Sequence, residues 1–172
     1  MKWILLVLAV AAAVVGAVAV IGFTLPESHV ISRSAELSVP PDTVWSIITN
    51  VAEYPKWRKD VERVEQISGA PHLSWREFSG HDKMTYEATT VEPTSHFVSR
   101  IADKGLGFGG SWDYSIEPHG KGSKITITEE GKIFNPIFRF VSEYVIGQTA
   151  TLDKYLTALT TRTGDKYTPG AA

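Results

Sequence analysis

The chain has 172 residues, of which 43% are hydrophobic and 21% charged, enough for one globular domain and a further segment. A net charge of −2 excludes the basic surface on which nucleic-acid binding depends, so neither DNA nor RNA is expected as a partner. The absence of cysteine excludes disulfide bonds, thiolate metal ligands and cysteine nucleophiles.

The N-terminal segment is apolar without interruption. Residues 3–23 contain no charged or strongly polar side chain, and about 20 such residues cross a bilayer as a helix. Residues 1–27 are therefore predicted to form a transmembrane anchor and a linker. A cleaved signal peptide is the alternative, because residues 17–19 read Ala-Val-Ala. Lys2 precedes the span and Arg33 is the first Lys or Arg after it, which favours a single-pass protein with an extracytoplasmic, periplasmic domain.

The segment after the linker alternates in hydrophobicity. Residues 31–39 have a period of two, which is typical of a strand with one buried face. Pro40 and Pro41 end this strand, and residues 43–51 place their apolar side chains on one helical face. A short helix is predicted there, stopping near Asn50, and a second helical turn is expected at Pro55.

The middle of the chain has no helical pattern. Short apolar stretches recur between turn-forming residues, as in an antiparallel meander. Six strands are predicted: Val61 to Ile67, Leu73 to Phe78, Met84 to Val91, Phe97 to Ile101, Ser111 to Ile116 and Lys124 to Glu130.

One long amphipathic helix is predicted from Asn135 to Gly164. Asn135 can cap its N-terminus, and Pro136 suits the first helical position because a missing N–H costs nothing there. Its apolar residues recur at spacings of three, four and seven: Phe138, Val141, Val145, Leu152, Leu156 and Leu159. Gly147 interrupts this face and is expected to bend the helix or to admit a close neighbour.

The order of these elements is one strand, two short helices, six strands and one long helix. It predicts an α+β domain, written β-α-α-β6-α, in which a curved antiparallel sheet wraps around the C-terminal helix. The domain is expected to span residues 28–165, preceded by one transmembrane helix and followed by a disordered tail at residues 166–172.

Four stretches carry a family resemblance: AELSVPPDTVWSIITN, YPKWRKDVERVE, GFGGSWDYSIEP and EEGKIFNPIFRFVSEYV. Together they resemble the polyketide cyclase/dehydrase and lipid transport branch of the START/Bet v 1-like (SRPBCC) superfamily, over residues 30 to 163. The resemblance implies a helix-grip fold with a cavity between the sheet and the long helix. It leaves the activity open, because the superfamily contains carriers, cyclases and hydrolases.

Three patterns that could carry chemistry are not supported by their context. Residues 105–110 match G-x-G-x-x-G, but a strand follows them, so no dinucleotide site is expected and the segment is interpreted as a glycine turn with Phe108 over a cavity mouth. The five histidines are scattered over predicted linker and turn regions and are interpreted as solvated, so no metal site is predicted. The serines form no nucleophile motif, and no cofactor is predicted.

Two carboxylates are candidates for acid/base catalysis. Period two places Glu129 on the same face as Ile125 and Ile127, and Glu77 on the same face as Trp75. Either side chain could point into a cavity and transfer protons there. The alternative is that both lie near strand ends, in contact with water or a salt-bridge partner.

Aromatic residues are the candidates for binding a ligand. Seven of them fall on segments predicted to surround the space under the long helix, with Gln148 as a polar group beside them: Trp57, Trp75, Phe97, Phe108, Trp112, Tyr114 and Tyr144. Aromatic walls with few polar groups suit a hydrophobic small molecule. The alternative is that these side chains fill an ordinary core.

Three functions remain open at this point. The first is a membrane-tethered domain that binds or carries a lipid, quinone or polyketide-like molecule. The second is a polyketide cyclase or dehydratase that uses Glu77 or Glu129. The third is a non-catalytic interaction module at the membrane whose cavity is filled. The volume of the cavity and the surroundings of the two carboxylates distinguish them.

Overall fold

The computed structural model describes residues 2–70 and 72–169. Helix α1 (Lys2–Thr24) is followed by strand β1 (Ser28–Leu37), helix α2 (Pro41–Thr49), a 3-10 turn (Val51–Glu53) and helix α3 (Tyr54–Trp57). Six strands come next: β2 (Arg63–Gln66), β3 (Ser74–Ser79), β4 (Asp82–Glu92), β5 (His96–Ile101), β6 (Phe108–His119) and β7 (Gly122–Ile133). Helix α4 (Pro136–Val141), a π-helical turn (Ser142–Ile146) and helix α5 (Ala150–Thr163) complete the described chain.

The seven strands form one antiparallel sheet in the order β1-β7-β6-β5-β4-β3-β2. A register shift helps the sheet to curve, and one glycine allows two of its strands to approach closely. The pairing of β4 with β5 shifts register between Ala88 and Thr90. Gly110 lies so close to β7 that a Cβ atom there would stand 2.3 Å from the carbonyl oxygen of Glu130, so only glycine fits. The curved antiparallel sheet and the α+β class predicted from the sequence are confirmed.

Helix α5 supplies the helical side of the core. Leu152, Leu156 and Leu159 are fully buried, and their spacing of three and four places them on one face of the helix. They belong to one apolar cluster with Ile125 and Ile127 of β7. Burying a leucine side chain stabilises the fold by roughly 1.5–3 kcal/mol, so this face holds α5 in the grip of the sheet.

The predicted single helix from Asn135 to Gly164 is wrong in its middle. Asn135 does cap α4, since its side chain accepts a hydrogen bond from the Phe138 N–H at 3.1 Å. Gly147 then has a φ of 87°, which no α-helix contains, and the chain restarts at α5. Phe138 and Val145, predicted to belong to the buried stripe, lie before this break and are exposed. The stripe is therefore confined to α5.

Helix α1 is long and apolar enough to span a membrane, with a mean hydropathy of 3.1, as a signal sequence would also be. Its C-terminal end packs on α4. A Cβ atom at Gly22 would stand 1.8 Å from the carbonyl oxygen of Pro136, so the two backbones touch there. Arg139 of α4 is buried and donates hydrogen bonds to the carbonyl oxygens of Gly22 and Leu25 at 3.4 and 3.2 Å. The cation thus binds carbonyl oxygens at the C-terminal end of α1 and directly after it, where a positive charge is favourable.

Part of the predicted disordered tail is packed against the domain. Tyr167 lies against the apolar cluster, and its hydroxyl group donates a hydrogen bond to Asp153 at 2.6 Å. Burial, followed by that carboxylate, raises the pKa of Tyr167 to about 12. Residues 170–172 of the predicted tail lie outside the described residues.

Candidate functional site

A cavity of about 400 Å³ lies between the sheet and the segment that joins α4 to α5. Strands β3 to β7 supply most of its wall, and Phe138, Ile146 and Gly147 lie at the edge that reaches the protein surface. Cavities that bind drug-sized ligands have volumes of roughly 300–1,000 Å³. The space is therefore large enough for a small organic molecule.

Aromatic rings form much of the wall. Trp75 and Tyr86 stack with their centroids 5.5 Å apart on β3 and β4. Phe108 of β6 and Phe138 of α4 stack at 6.0 Å, nearly parallel, at the exposed edge. Together these rings offer flat apolar surface from the interior of the cavity to its mouth.

Seven of the ten residues predicted from the sequence line this cavity, where the fold brings them together: Trp75, Glu77, Phe108, Trp112, Tyr114, Glu129 and Gln148. Those on the strands point inward because period two places them on the concave face of the sheet. Phe108 stands at the mouth as predicted, but the interpretation of residues 105–110 as a turn is wrong for residues 108–110, which belong to β6.

The other three predicted residues lie elsewhere. Phe97 is 1% exposed and packs between Trp45 and Tyr114 in the core, which fills the space in front of it. Trp57 lies edge-on to Tyr155 at 5.4 Å, beneath α5 instead of in the cavity. Tyr144 is 60% exposed on the π-helical turn, because the break at Gly147 turns that face outward. Their assignment as cavity residues is therefore corrected.

Glu77 belongs to a buried polar cluster in the wall. The guanidinium group of Arg58 donates to Oε1 of Glu77 at 3.0 Å and lies 3.0 Å from Oε2. The Trp75 indole N–H also donates to Oε1, at 2.9 Å. Arg58 also donates to Asp60 at 2.9 Å. Burial alone would lower the pKa of Arg58, but the carboxylates of Glu77 and Asp60 outweigh it and raise that pKa above the ordinary arginine value. Arg58 therefore presents a permanent charge to the cavity.

Three tyrosines also line the cavity, namely Tyr54, Tyr86 and Tyr114, and the guanidinium group of Arg58 lies 4.9 Å from the ring centre of Tyr54. Burial raises the pKa of each of them well above the ordinary tyrosine value. Their phenol groups consequently stay neutral at physiological pH. They can donate or accept hydrogen bonds in the cavity, but they are poor bases there.

Glu129 belongs to a second polar cluster on the opposite side of the cavity. One oxygen lies 3.2 Å from Nε2 of His29, and the other accepts hydrogen bonds from the Trp112 indole N–H at 2.9 Å and the Thr151 hydroxyl at 3.1 Å. Three strands, β4, β5 and β6, lie between β3 and β7 in the sheet, so the two clusters face each other across the aromatic wall.

Sequence reasoning missed His29 and Arg58. The interpretation of the histidines as solvated is wrong for His29, which is half-buried on β1, and for His96, which lies 2.9 Å from Asp113. His29 lies two residues before Ile31 and therefore on the same face of β1 as its buried residues. Starting the predicted strand two residues earlier would have placed His29 on that face. No local pattern marks Arg58, because its partner Glu77 is 19 residues away.

Gln148 is half-buried beside the break in the C-terminal segment and lines the cavity. Its amide group donates a hydrogen bond to the carboxylate of Glu143. Among residues 2–70 and 72–169, no group of three or more His, Asp or Glu side chains is arranged to hold a metal ion.

Comparison with known proteins agrees with this architecture. The sequence profile described as polyketide cyclase/dehydrase and lipid transport matches residues 28–164. No curated protein sequence matches the chain at a significant level.

Solved structures resemble the domain at low sequence identity. A START superfamily protein from Mycobacterium smegmatis is 16% identical with a TM-score of 0.63, and the match covers 79% of this chain and 97% of that one. An aromatase/cyclase from Streptomyces is 13% identical with a TM-score of 0.65, covering 80% and 94%. Truncated norcoclaurine synthase from Thalictrum flavum is 19% identical with a TM-score of 0.62, covering 78% and 92%. At these identities the likeness concerns the fold alone.

Proposed function

The chain belongs to the polyketide cyclase/dehydrase and lipid transport family, and from that premise we propose that its cavity binds or carries a hydrophobic small molecule. The ligand would be a lipid, a quinone or a polyketide-like compound. Helix α1 would tether the domain to a membrane as a single-pass anchor, with the domain on the extracytoplasmic side.

The observation that carries this proposal is the pattern of groups in the cavity wall. An aromatic surface separates the Arg58–Glu77 cluster from the His29–Glu129 cluster. An apolar ligand body can lie along the rings while a carbonyl, hydroxyl or acidic group reaches one of the polar ends. Both carboxylates already have hydrogen-bonding partners within the protein, which favours binding over catalysis by Glu77 or Glu129.

One observation favours an enzyme as the second candidate. His29 faces the cavity with Nε2 3.2 Å from Glu129, and a carboxylate that orients an imidazole is a common arrangement for general-base catalysis. The cyclase or dehydratase alternative would therefore use His29 as the base and Glu129 as the group that positions it. The third alternative, an interaction module with a filled cavity, conflicts with a cavity of about 400 Å³.

The test is to identify what the cavity holds. The full chain would be extracted from its native membrane in mild detergent, and bound small molecules would be identified by mass spectrometry. Ser99 is buried in the cavity wall, so Ser99→Leu should fill part of the space and reduce the co-purifying ligand several-fold. Ser95→Leu is the matched control, because Ser95 lies in the exposed turn between β4 and β5.

Two results would overturn the binding proposal. The first is wild-type protein that carries no small molecule although annular lipid is retained. The second is equal ligand content in Ser99→Leu and Ser95→Leu when both have the thermal unfolding midpoint of the wild type. The tether is tested separately, by alkaline extraction of membranes and by the N-terminal residue of the mature chain. A mature chain beginning near Val20 would show that α1 is a signal peptide.

A further inference from the structure

Exposed apolar side chains outside α1 are concentrated in one short stretch. Of the nine large ones in residues 25–70 and 72–169, six lie between residues 134 and 146: Phe134, Ile137, Phe138, Tyr144, Val145 and Ile146. We call this stretch the apolar segment. Val30, at the start of β1, is also exposed and lies at the same end of the sheet as the apolar segment. Of the nine residues, only Ile67 and Val91 lie elsewhere. A concentration of exposed apolar side chains marks a surface that contacts a membrane or another protein.

The apolar segment carries almost no exposed charge. Its only ionisable groups besides Tyr144 are Arg139 and Glu143. Arg139 is 6% exposed, since it donates hydrogen bonds to the end of α1, to Glu27 and to the carbonyl oxygens of Ile133 and Phe134. Glu143, the one exposed charge of the segment, accepts a hydrogen bond from Gln148. Arginine side chains are usually exposed and aromatic rings usually buried, so this segment has the opposite arrangement.

The apolar segment is continuous with α1. The backbone of Gly22 touches Pro136, and Arg139 binds the carbonyl oxygens of Gly22 and Leu25. Phe23, the last large residue of α1, is 71% exposed. The point where α1 would leave a bilayer is therefore the point where the apolar segment begins.

We propose that the apolar segment lies in the interfacial layer of the bilayer that α1 enters, so that the mouth of the cavity faces the membrane. The location of that bilayer rests on the tether in the proposed function. Phe and Tyr side chains favour the boundary between headgroups and acyl chains, where a ring is buried and a hydroxyl stays hydrated. Arg139 acts as the rigid connection that keeps this surface beside the end of the span.

The geometry has a consequence for the ligand. Phe138 and Ile146 of the apolar segment also line the cavity, and Phe138 stacks on Phe108 across its edge. A hydrophobic molecule would then pass between the bilayer and the cavity through this edge without crossing water. The transfer would avoid the cost of exposing apolar surface to water.

The experiment uses the lack of natural cysteine, which makes any introduced cysteine unique. Full-length Val145→Cys would be labelled with an environment-sensitive fluorophore in phosphatidylcholine vesicles, with and without a lipid that carries a spin label near its headgroup. Val91→Cys is the matched control, because Val91 is also exposed. Through Phe97, Val91 lies level with Tyr114 of β6. Tyr114 is six residues along β6 from Phe108 at the cavity mouth, so position 91 is ~20 Å from the mouth.

The label at position 145 should be blue-shifted and quenched at least threefold more strongly by the spin-labelled lipid than the label at position 91. Equal weak quenching at both positions would overturn the proposal. So would a blue shift without lipid quenching, because a second copy of this chain would then cover the segment. Ile146→Cys repeats the measurement if Val145→Cys does not fold.

The outcomes separate this proposal from the tether and from ligand binding. If the chain resists alkaline extraction but the label at position 145 is not quenched, the tether is supported and the interfacial position of the apolar segment is refuted. If the mature chain lacks α1 but the label at position 145 is quenched when vesicles are added, the tether is refuted and the membrane contact of the apolar segment is supported. Neither readout depends on whether the cavity holds a ligand.

Discussion

The guanidinium group of Arg58 engages both carboxylate oxygens of Glu77 at 3.0 Å in the wall of the cavity. Both side chains are largely removed from water, with exposed fractions of 13% and 9%. Removing one partner of such a pair leaves an uncompensated buried charge, which costs more than the pair itself contributes. The stability of the domain is therefore sensitive to which partner is changed.

Arg58→Met is expected to lower the free energy of unfolding by ~3–5 kcal/mol, since it leaves the Glu77 carboxylate without its cation. Glu77→Gln is expected to cost less, about 1–3 kcal/mol, because Arg58 keeps Asp60 and an amide can still accept from Trp75. Urea unfolding followed by tryptophan fluorescence measures both. Lys56→Met, which removes an exposed pair with Glu53, should cost under about 1 kcal/mol. An equal effect of all three changes would contradict the buried pairing.

Asp60 should make stability depend on acidic pH. Burial alone would raise the pKa of Asp60, but the charge of Arg58 and its hydrogen bond lower that pKa below the ordinary 3.8. A carboxyl whose pKa is lower in the folded state contributes stability that is complete above 3.8 and is lost as the pH falls through the folded value. Asp60→Asn should thus be destabilised at pH 7, and its difference from wild type should shrink below pH 4. A difference that stays constant down to pH 2 would exclude this role.

Gln148→Leu is expected to weaken the binding of a polar-headed hydrophobic ligand. The amide lines the cavity, while its partner Glu143 is exposed and can be hydrated after the change. Stability should therefore change by no more than about 0.5 kcal/mol. Binding can be followed through Trp75 and Trp112, which both line the cavity. Unchanged affinity with a normal tryptophan response would place Gln148 outside the binding site.

Arg139→Gln is expected to release the end of α1 from the domain. A glutamine cannot replace the hydrogen bonds that the guanidinium group donates to Gly22, Leu25 and Glu27. Cleavage after Glu27 by a glutamate-specific protease should then accelerate at least several-fold in detergent micelles. Cleavage after Glu65, on the exposed edge strand β2, serves as the internal reference. A ratio equal to that of the wild type would show that Arg139 does not hold the linker.

Strand positions and strand faces were predictable because each depends on a few neighbouring residues. The alternation in β3 correctly placed Trp75 and Glu77 on the inner face, and the alternation in β7 did the same for Glu129. The strand face on which a side chain lies follows from its neighbours in sequence, but the residues that pack against that face do not. Phe97 has the same inward orientation as its neighbours and yet packs in the core, because Trp45 of α2 occupies the space in front of it.

The break in the C-terminal helix shows a different limit. The spacing from Phe138 to Leu159 fits one helical face, and Asn135 caps the first turn as predicted. Periodicity detects an apolar face without showing whether protein or another apolar phase covers it. The positive φ of Gly147 separates the exposed part of that face from the part buried in the core.

The amino-acid sequence alone determined the apolar N-terminal helix, the seven strands, the α+β class and the inward orientation of most cavity residues, since each follows from short-range periodicity and turn chemistry. Tertiary structure alone decided the two polar clusters and the contact between α1 and α4. His29 meets Glu129 across 100 residues only because β1 pairs with β7, and Arg139 reaches Gly22 across 117 residues only because α4 folds back onto the end of α1. Pairings at that separation depend on closing long loops around a specific core, which no local pattern encodes.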